Sequence, residues 1–195
     1  MRQVYRLRPL PQRLTAPFPS NMLIPTIAIG TIALQIAILA LIAAWIMRAP
    51  LLSLVERHTT LLLRIVSTGA VLGSLYLEYG LGYEPCLLCW YQRIAIFGVA
   101  IIAWTGDIKT NALLRKQVII FSLLGLIVAL FHNYIDIFPG SGIDVCGAST
   151  VSCLKRYIYE FGYITIPMMS LTVLLLGLLL TFLAGRSSTL PSASK

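Results

Sequence analysis

The chain has 195 residues, of which 58% are hydrophobic and 11% charged, with a formal net charge of +8 and a mean hydropathy of +0.87. A soluble domain of this length cannot bury so much apolar surface, so the natural solvent for the chain is lipid. The positive charge does not point to nucleic acid, because the basic residues stand at the ends of apolar runs and in the tails, where lipid headgroups meet them.

Residues 1–22 carry Arg2, Arg6, Arg8 and Arg13, four prolines and no acid, and are expected to be a flexible basic segment. Residues 23–47 form an uncharged run, an extra hydrophobic helix. A secretory signal core is usually about 7–15 residues and is followed by a small-residue cleavage site. This run is longer and lacks such a site, so it reads as a retained helix or a weakly attached anchor. Four further apolar runs follow at 61–82, 90–106, 117–138 and 161–184, and residues 185–195 make a small, polar, disordered tail. A hydrocarbon core of about 30 Å needs roughly 20 residues of helix, a length the five runs meet or approach. In lipid only a helix satisfies its own backbone without closing a barrel, so the expected class is an all-α integral membrane protein.

Smaller features fall between and within these runs. Gly69 and Gly73 form a G-x-x-x-G step, read as close helix packing. Tyr79, Tyr83, Trp90 and Tyr91 fit an interfacial aromatic belt. The one long connection, 139–160, opens on the helix breaker "PGSG". In it Leu154, Tyr157, Ile158 and Phe161 have helical spacing, which predicts either a short amphipathic surface helix or the first turn of the last span.

Sidedness follows from Lys and Arg. Across the last four runs one side holds Arg48, Arg57, Arg64, Lys109, Arg115, Lys116, Arg186 and Lys195, and the other holds Arg93, Lys155 and Arg156. Eight against three places the first set in the cytoplasm and both cysteine-bearing loops outside. If 23–47 spans, its four preceding arginines bring the count to eight against seven; either the segment does not cross, or it breaks the rule, or the start lies downstream at Met22 or Met47, the second of which restores the asymmetry.

All four cysteines lie in the two outward loops: Cys86 and Cys89 in the first, Cys146 and Cys153 in the second. An even number on the oxidising side suits disulfide chemistry. Pro85 suits the first position of a helix running through Arg93, which puts Cys86 and Cys89 in its first turn. There the helix dipole and the Arg93 guanidinium both favour a thiolate, the nucleophile of disulfide exchange. A structural C-x-x-C clip closes too short a loop to add much stability. Zinc prefers a second C-x-x-C, whereas Cys146 and Cys153 are separated by six residues. A redox-active pair is therefore favoured, with no metal expected. Arg93 reads either as an arginine snorkelling to the surface or as a hydrogen-bond donor to a lipid-soluble acceptor. His132 lies near the same depth and is either a packed polar residue or part of that site.

These residues resemble a known family. "PCLLCWYQR" (85–93) and "FGYITIPMMSL" (161–171) resemble the signature segments of disulfide bond formation protein B, in its short-loop, BdbC-like branch. The resemblance covers roughly residues 61–184 and implies a four-helix transmembrane bundle, here with an additional N-terminal hydrophobic helix. It implies a thiol:quinone oxidoreductase of the bacterial cytoplasmic membrane, with ubiquinone or menaquinone as acceptor. Its partner would be a thioredoxin-like dithiol oxidase of the DsbA/BdbD type. The resemblance makes Cys146 and Cys153 the pair that exchanges with that partner, Cys146 forming the mixed disulfide. Cys86 and Cys89 then pass electrons to quinone beside Arg93 and His132. Gln92 stands where longer-loop members carry an acid, and residues 23–47 have no counterpart in the four-helix pattern. Two other readings remain: a vitamin K epoxide reductase-like bundle, and a non-catalytic membrane protein with two structural disulfides.

Overall fold

The structure is a computed structural model that describes residues 20–139 and 152–187. The expectations for residues 1–19, for Cys146 and for most of the tail lie outside the described residues. Five helices follow one another: α1 (Ser20–Ile46), α2 (Leu51–Leu75) continued by a π-helical turn (Tyr76–Gly80), α3 (Leu87–Thr105), α4 (Ala112–Ile137) and α5 (Ile166–Ser187). All five are long and apolar enough to cross a membrane. Among the described residues the only β-type pairing is an isolated bridge between Glu160 and Ile164.

The helices α2 to α5 form the bundle: α3 packs on α4, α4 on α5, and α2 closes the ring against α5 and α3. Helix α1 stands outside it, against α5 and α2. Outward faces carry exposed apolar side chains such as Ile36, Leu72, Ile101, Ile127 and Phe182. Such a surface is stable only against lipid, where helix association rests on close packing more than on expulsion of water. The closest packing is at Gly125 of α4, where an added Cβ would lie 2.5 Å from Ala95 Cβ and 2.9 Å from Leu174 Cδ1, so three helices converge on a missing side chain.

Polar groups in the spans are satisfied locally. Thr59, Ser67, Thr172 and Thr181 return their hydroxyls to the carbonyl one turn earlier. At the end away from the cysteines Arg64 donates to the carbonyls of Ala103 and Gly106, at 2.8 and 3.1 Å, and so caps the C-terminus of α3. Asn111 caps α4 through its side-chain oxygen, and Thr165 accepts from the Met168 amide at the start of α5.

The structure moves three sequence expectations. Helix α2 begins at Leu51 instead of 61, because Glu56, Arg57 and His58 continue the helix beyond the apolar core. Residues 152–165 form turns and no helix, neither an amphipathic one nor an early turn of α5. Phe161 and Gly162 take φ of 51° and 78°, which no right-handed helix accommodates, and the Glu160–Ile164 bridge closes that turn. Gly69 and Gly73 are not points of close helix contact: a Cβ built on either meets nothing within 4 Å.

Gly125→Val should destabilise the bundle by about 1–3 kcal/mol, the usual range for overpacking. Gly69→Ala should leave stability unchanged or slightly raised. Thermal unfolding of the two variants in one detergent checks both.

Candidate functional site

The site is assembled at the end of the bundle where α2 stops and α3 starts. The π-helical turn at the end of α2 turns Glu78 toward α3, and π-turns of this kind are common at functional positions. Gly82, at φ 70°, then reverses the chain toward Pro85. Helix α3 starts two residues later than expected: Cys86 is its extended N-cap (φ −74°, ψ 173°) and Leu87, not Pro85, its first residue. The sulfur explains the shift, since Cys86 Sγ accepts the Cys89 amide at 3.4 Å and takes the part of a capping oxygen.

Cys86 and Cys89 are free thiols with their sulfurs 3.0 Å apart. Cys153 is disulfide-bonded, and its sulfur, Cys86 Sγ and a ring nitrogen of His132 all lie within 4.8 Å of one another. His132 is 2% exposed and makes the junction. Gln92 Nε2 donates to its Nδ1 at 3.0 Å, so the ring proton sits on Nε2. That Nε2 is 3.2 Å from the Cys153 carbonyl and 4.0 Å from Cys86 Sγ. The spacing of these donors would also suit a metal ion, but only with the Cys153 disulfide opened, because a ligand sulfur must be a thiolate.

Arg93 lies one turn beyond Cys89. It is 8% exposed and does not snorkel. Its guanidinium pairs with the Glu78 carboxylate, donates to the Ser74 carbonyl at 2.8 Å, and lies over the Trp90 ring. Two contacts hold the second cysteine loop in place. Arg156 Nε donates to Asp136 Oδ1 at 2.6 Å, and Tyr157 stacks on Tyr83 with centroids 4.7 Å apart. Tyr79, Trp90 and Tyr91 are exposed as a belt requires, whereas Tyr83 is used in that stack.

The electrostatics single out Cys86. A hydrogen bond from the Cys89 side chain outweighs burial and, with the contact to His132, holds the Cys86 thiol down to about 4, far below the ordinary thiol range. A cavity of about 460 Å³ opens beside these groups, lined by Cys86, Cys89, Gln92, Arg93, His132 and Cys153 at one end and by apolar residues of α1, α2 and α5 below.

The structure thus brings together Cys86, Cys89, Arg93, His132 and Cys153. Sequence reasoning missed the roles of Gln92, Glu78 and Asp136. Gln92 had a signal, because Cys86, Cys89, Gln92 and Ile96 share one helical face, and an uncharged polar residue there needs an internal partner. Glu78 also had one, as an acid near the end of an apolar span opposite a basic residue of the next span.

The arrangement defines a class: a multi-pass helical membrane protein with a buried cysteine centre beside a large apolar cavity. Residues 56–185 match the family described as Disulfide bond formation protein DsbB, and the chain belongs to that family. It is 38% identical over 106 residues to the probable disulfide formation protein of Chlamydia caviae, covering 54% of this chain and 75% of that protein. To the probable disulfide formation protein C of Halalkalibacterium halodurans it is 38% identical over 105 residues, 53% of this chain and 75% of the relative. To disulfide bond formation protein C of Bacillus subtilis it is 35% identical over 113 residues, 57% and 81% of the two chains. No solved structure matches the chain. Membership implies disulfide oxidoreductase activity, and the relatives named disulfide formation protein C agree with the short-loop branch.

Two outcomes test this geometry. The sign for Cys86 is that of a depressed pKa: the thiolate is present above about 4 and is lost as the pH falls through that value. Alkylation of Cys86 in the reduced protein, followed by peptide mass spectrometry, should be flat from neutral pH down toward about 4. His132→Ala should move the decline upward; a decline near about 8.5 in the unaltered protein would contradict the assignment. Separately, Glu78→Gln leaves Arg93 buried without its counter-charge and should cost about 3 kcal/mol. The double replacement Glu78→Met, Arg93→Met should recover most of that loss in chemical denaturation.

Proposed function

We propose that the chain is a thiol:quinone oxidoreductase that reoxidises a thioredoxin-like dithiol oxidase of the DsbA/BdbD type and passes the electrons to a membrane quinone, ubiquinone or menaquinone. The observation that carries the proposal is the closeness of Cys153 to the pair formed by Cys86 and Cys89. Cys86 Sγ lies within 4.8 Å of Cys153 Sγ and 3.0 Å from Cys89 Sγ.

The partner's thiolate attacks the disulfide of Cys146 and Cys153 at Cys146, forming a mixed disulfide and releasing the Cys153 thiolate. The partner's second thiol then resolves the mixed disulfide, leaving the partner oxidised and Cys146 and Cys153 reduced. Cys153 next attacks the Cys86–Cys89 disulfide at Cys86, with Cys89 leaving, and Cys146 attacks Cys153 to release Cys86. Two electrons and two protons thereby move from the partner to Cys86 and Cys89. His132, its proton held on Nε2 by Gln92, stabilises the sulfur charge on Cys86 during these steps.

The cavity fits a quinone. Its volume is that of a small-molecule site. Arg93, Gln92 and His132 give its cysteine end polar side chains for a ring, and the apolar residues below suit a hydrocarbon chain. A quinone accepts two electrons and two protons from a dithiol. Arg93 and His132 supply positive charge and a proton donor beside the sulfurs, in surroundings where low dielectric strengthens both.

The excess of Lys and Arg at the opposite end supports a cytoplasmic location for that end and an extracytoplasmic one for the cysteines. A vitamin K epoxide reductase-like chemistry finds no separate support once the family is given.

With a reduced thioredoxin-like partner supplied, the purified protein should bleach the ultraviolet absorbance of added quinone, and Cys89→Ala should abolish the reaction. Cys153→Ala should trap the partner on Cys146. A Cys89→Ala protein with full activity would remove the proposal.

A further inference from the structure

The helix that the family match leaves out shapes the cavity. Residues 56–185 carry the match, yet Ile27, Gly30, Thr31 and Leu34 of α1 line the same cavity as Cys89 and Arg93. Along its second half α1 is anchored: Leu34, Ile38 and Leu41 join the apolar cluster that contains Leu63 and Leu180. Gln35 donates to Thr172 at 3.2 Å and accepts from the Tyr163 hydroxyl at 2.7 Å. Nearer its start α1 faces α2 across open space. Gly30 on one side and Gly69 and Gly73 on the other all line the cavity, and a Cβ on any of them meets no atom within 4 Å. None of the three has a positive φ, so backbone strain does not explain the glycines.

The cavity also has a direction. At the cysteine end it is polar, lined by Arg93, Gln92 and His132. It then descends to Ile96, about 15 Å below Cys86 at the helical rise, among Ile65, Val66 and Val173. One ligand matches both ends: a polar, redox-active ring joined to an apolar chain. We propose that α1 is a wall of the acceptor site, and that Gly30 with Gly69 and Gly73 forms a sleeve for the isoprenoid tail of the quinone. The inference rests on the oxidoreductase reading and adds to it a tail subsite built from a helix outside the family-matched segment.

Two measurements test it. The thiol introduced by Gly30→Cys, alkylated with a small apolar maleimide and read by mass spectrometry, should be protected by a long-tailed quinone and not by a tail-free ring. In turnover, Gly30→Leu and Gly69→Leu should each raise the ratio of KM for the long-tailed quinone to KM for the tail-free ring by roughly tenfold, the scale of a few methylenes in an apolar pocket. A loss of fold would depress kcat with both acceptors instead. Ile36→Phe, on the lipid face, should leave the ratio unchanged. Quinone reduction without protection at Gly30→Cys, or with an unchanged ratio in both leucine variants, overturns the sleeve alone and leaves the cleft to lipid chains. Failure of the unaltered protein to reduce either quinone overturns the oxidoreductase reading, and this inference with it.

Discussion

His132 of α4 is held by three contacts, two from α3 and its cap and one from the second cysteine loop. Gln92 of α3 fixes Nδ1, while the N-terminal cap of α3 and the backbone of Cys153 share Nε2. Inside a bundle surrounded by lipid a polar ring without partners is costly, so this junction constrains where α3, α4 and the second cysteine loop sit relative to one another. The sulfurs of Cys86 and Cys153 come close because both segments meet the same imidazole. Loss of that junction would leave the position of the second cysteine loop to the Arg156–Asp136 pair and the Tyr83–Tyr157 stack.

Two ion pairs hold the rim in the same manner. Arg93 is bound to Glu78 on the π-helical turn, and Arg156 to Asp136 at the end of α4. The first joins α3 to the end of α2, with the Arg93 guanidinium one turn from Cys89, and the second joins α4 to the loop that carries Cys153. Such pairs are weak evidence for net stability, because desolvation offsets most of their attraction. Their consequence is positional: they fix a guanidinium beside the cavity and a loop over it.

The location of the site follows from the solubilities of the reactants. Under the proposed function, dithiols of a protein partner would arrive from water and a quinone from the hydrocarbon layer. A centre at the mouth of a bundle, open to a cavity that runs down between α1, α2 and α5, meets both. The cysteines at the N-terminus of α3 also benefit from unpaired amides and the helix dipole, which would be lost one turn deeper.

Apolar run length and the absence of charge were enough to predict five spanning helices, since lipid leaves the backbone no alternative. The C-x-x-C spacing with Arg93 one turn on was enough to single out the first cysteine pair, since both are properties of one helix. The features that depend on neighbours were not legible. The helical spacing from Leu154 to Phe161 failed because two residues with positive φ form a turn there. The G-x-x-x-G step at Gly69 and Gly73 looked like a packing motif, and only the position of α1 shows that it borders open space. Arg93 was ambiguous until Glu78 was seen beside it. Local composition thus determined the helices, their solvent and the reactive pair. Which groups surround that pair was decided by tertiary structure alone, because lateral packing in a membrane depends on shape and polar matching between segments far apart in the chain.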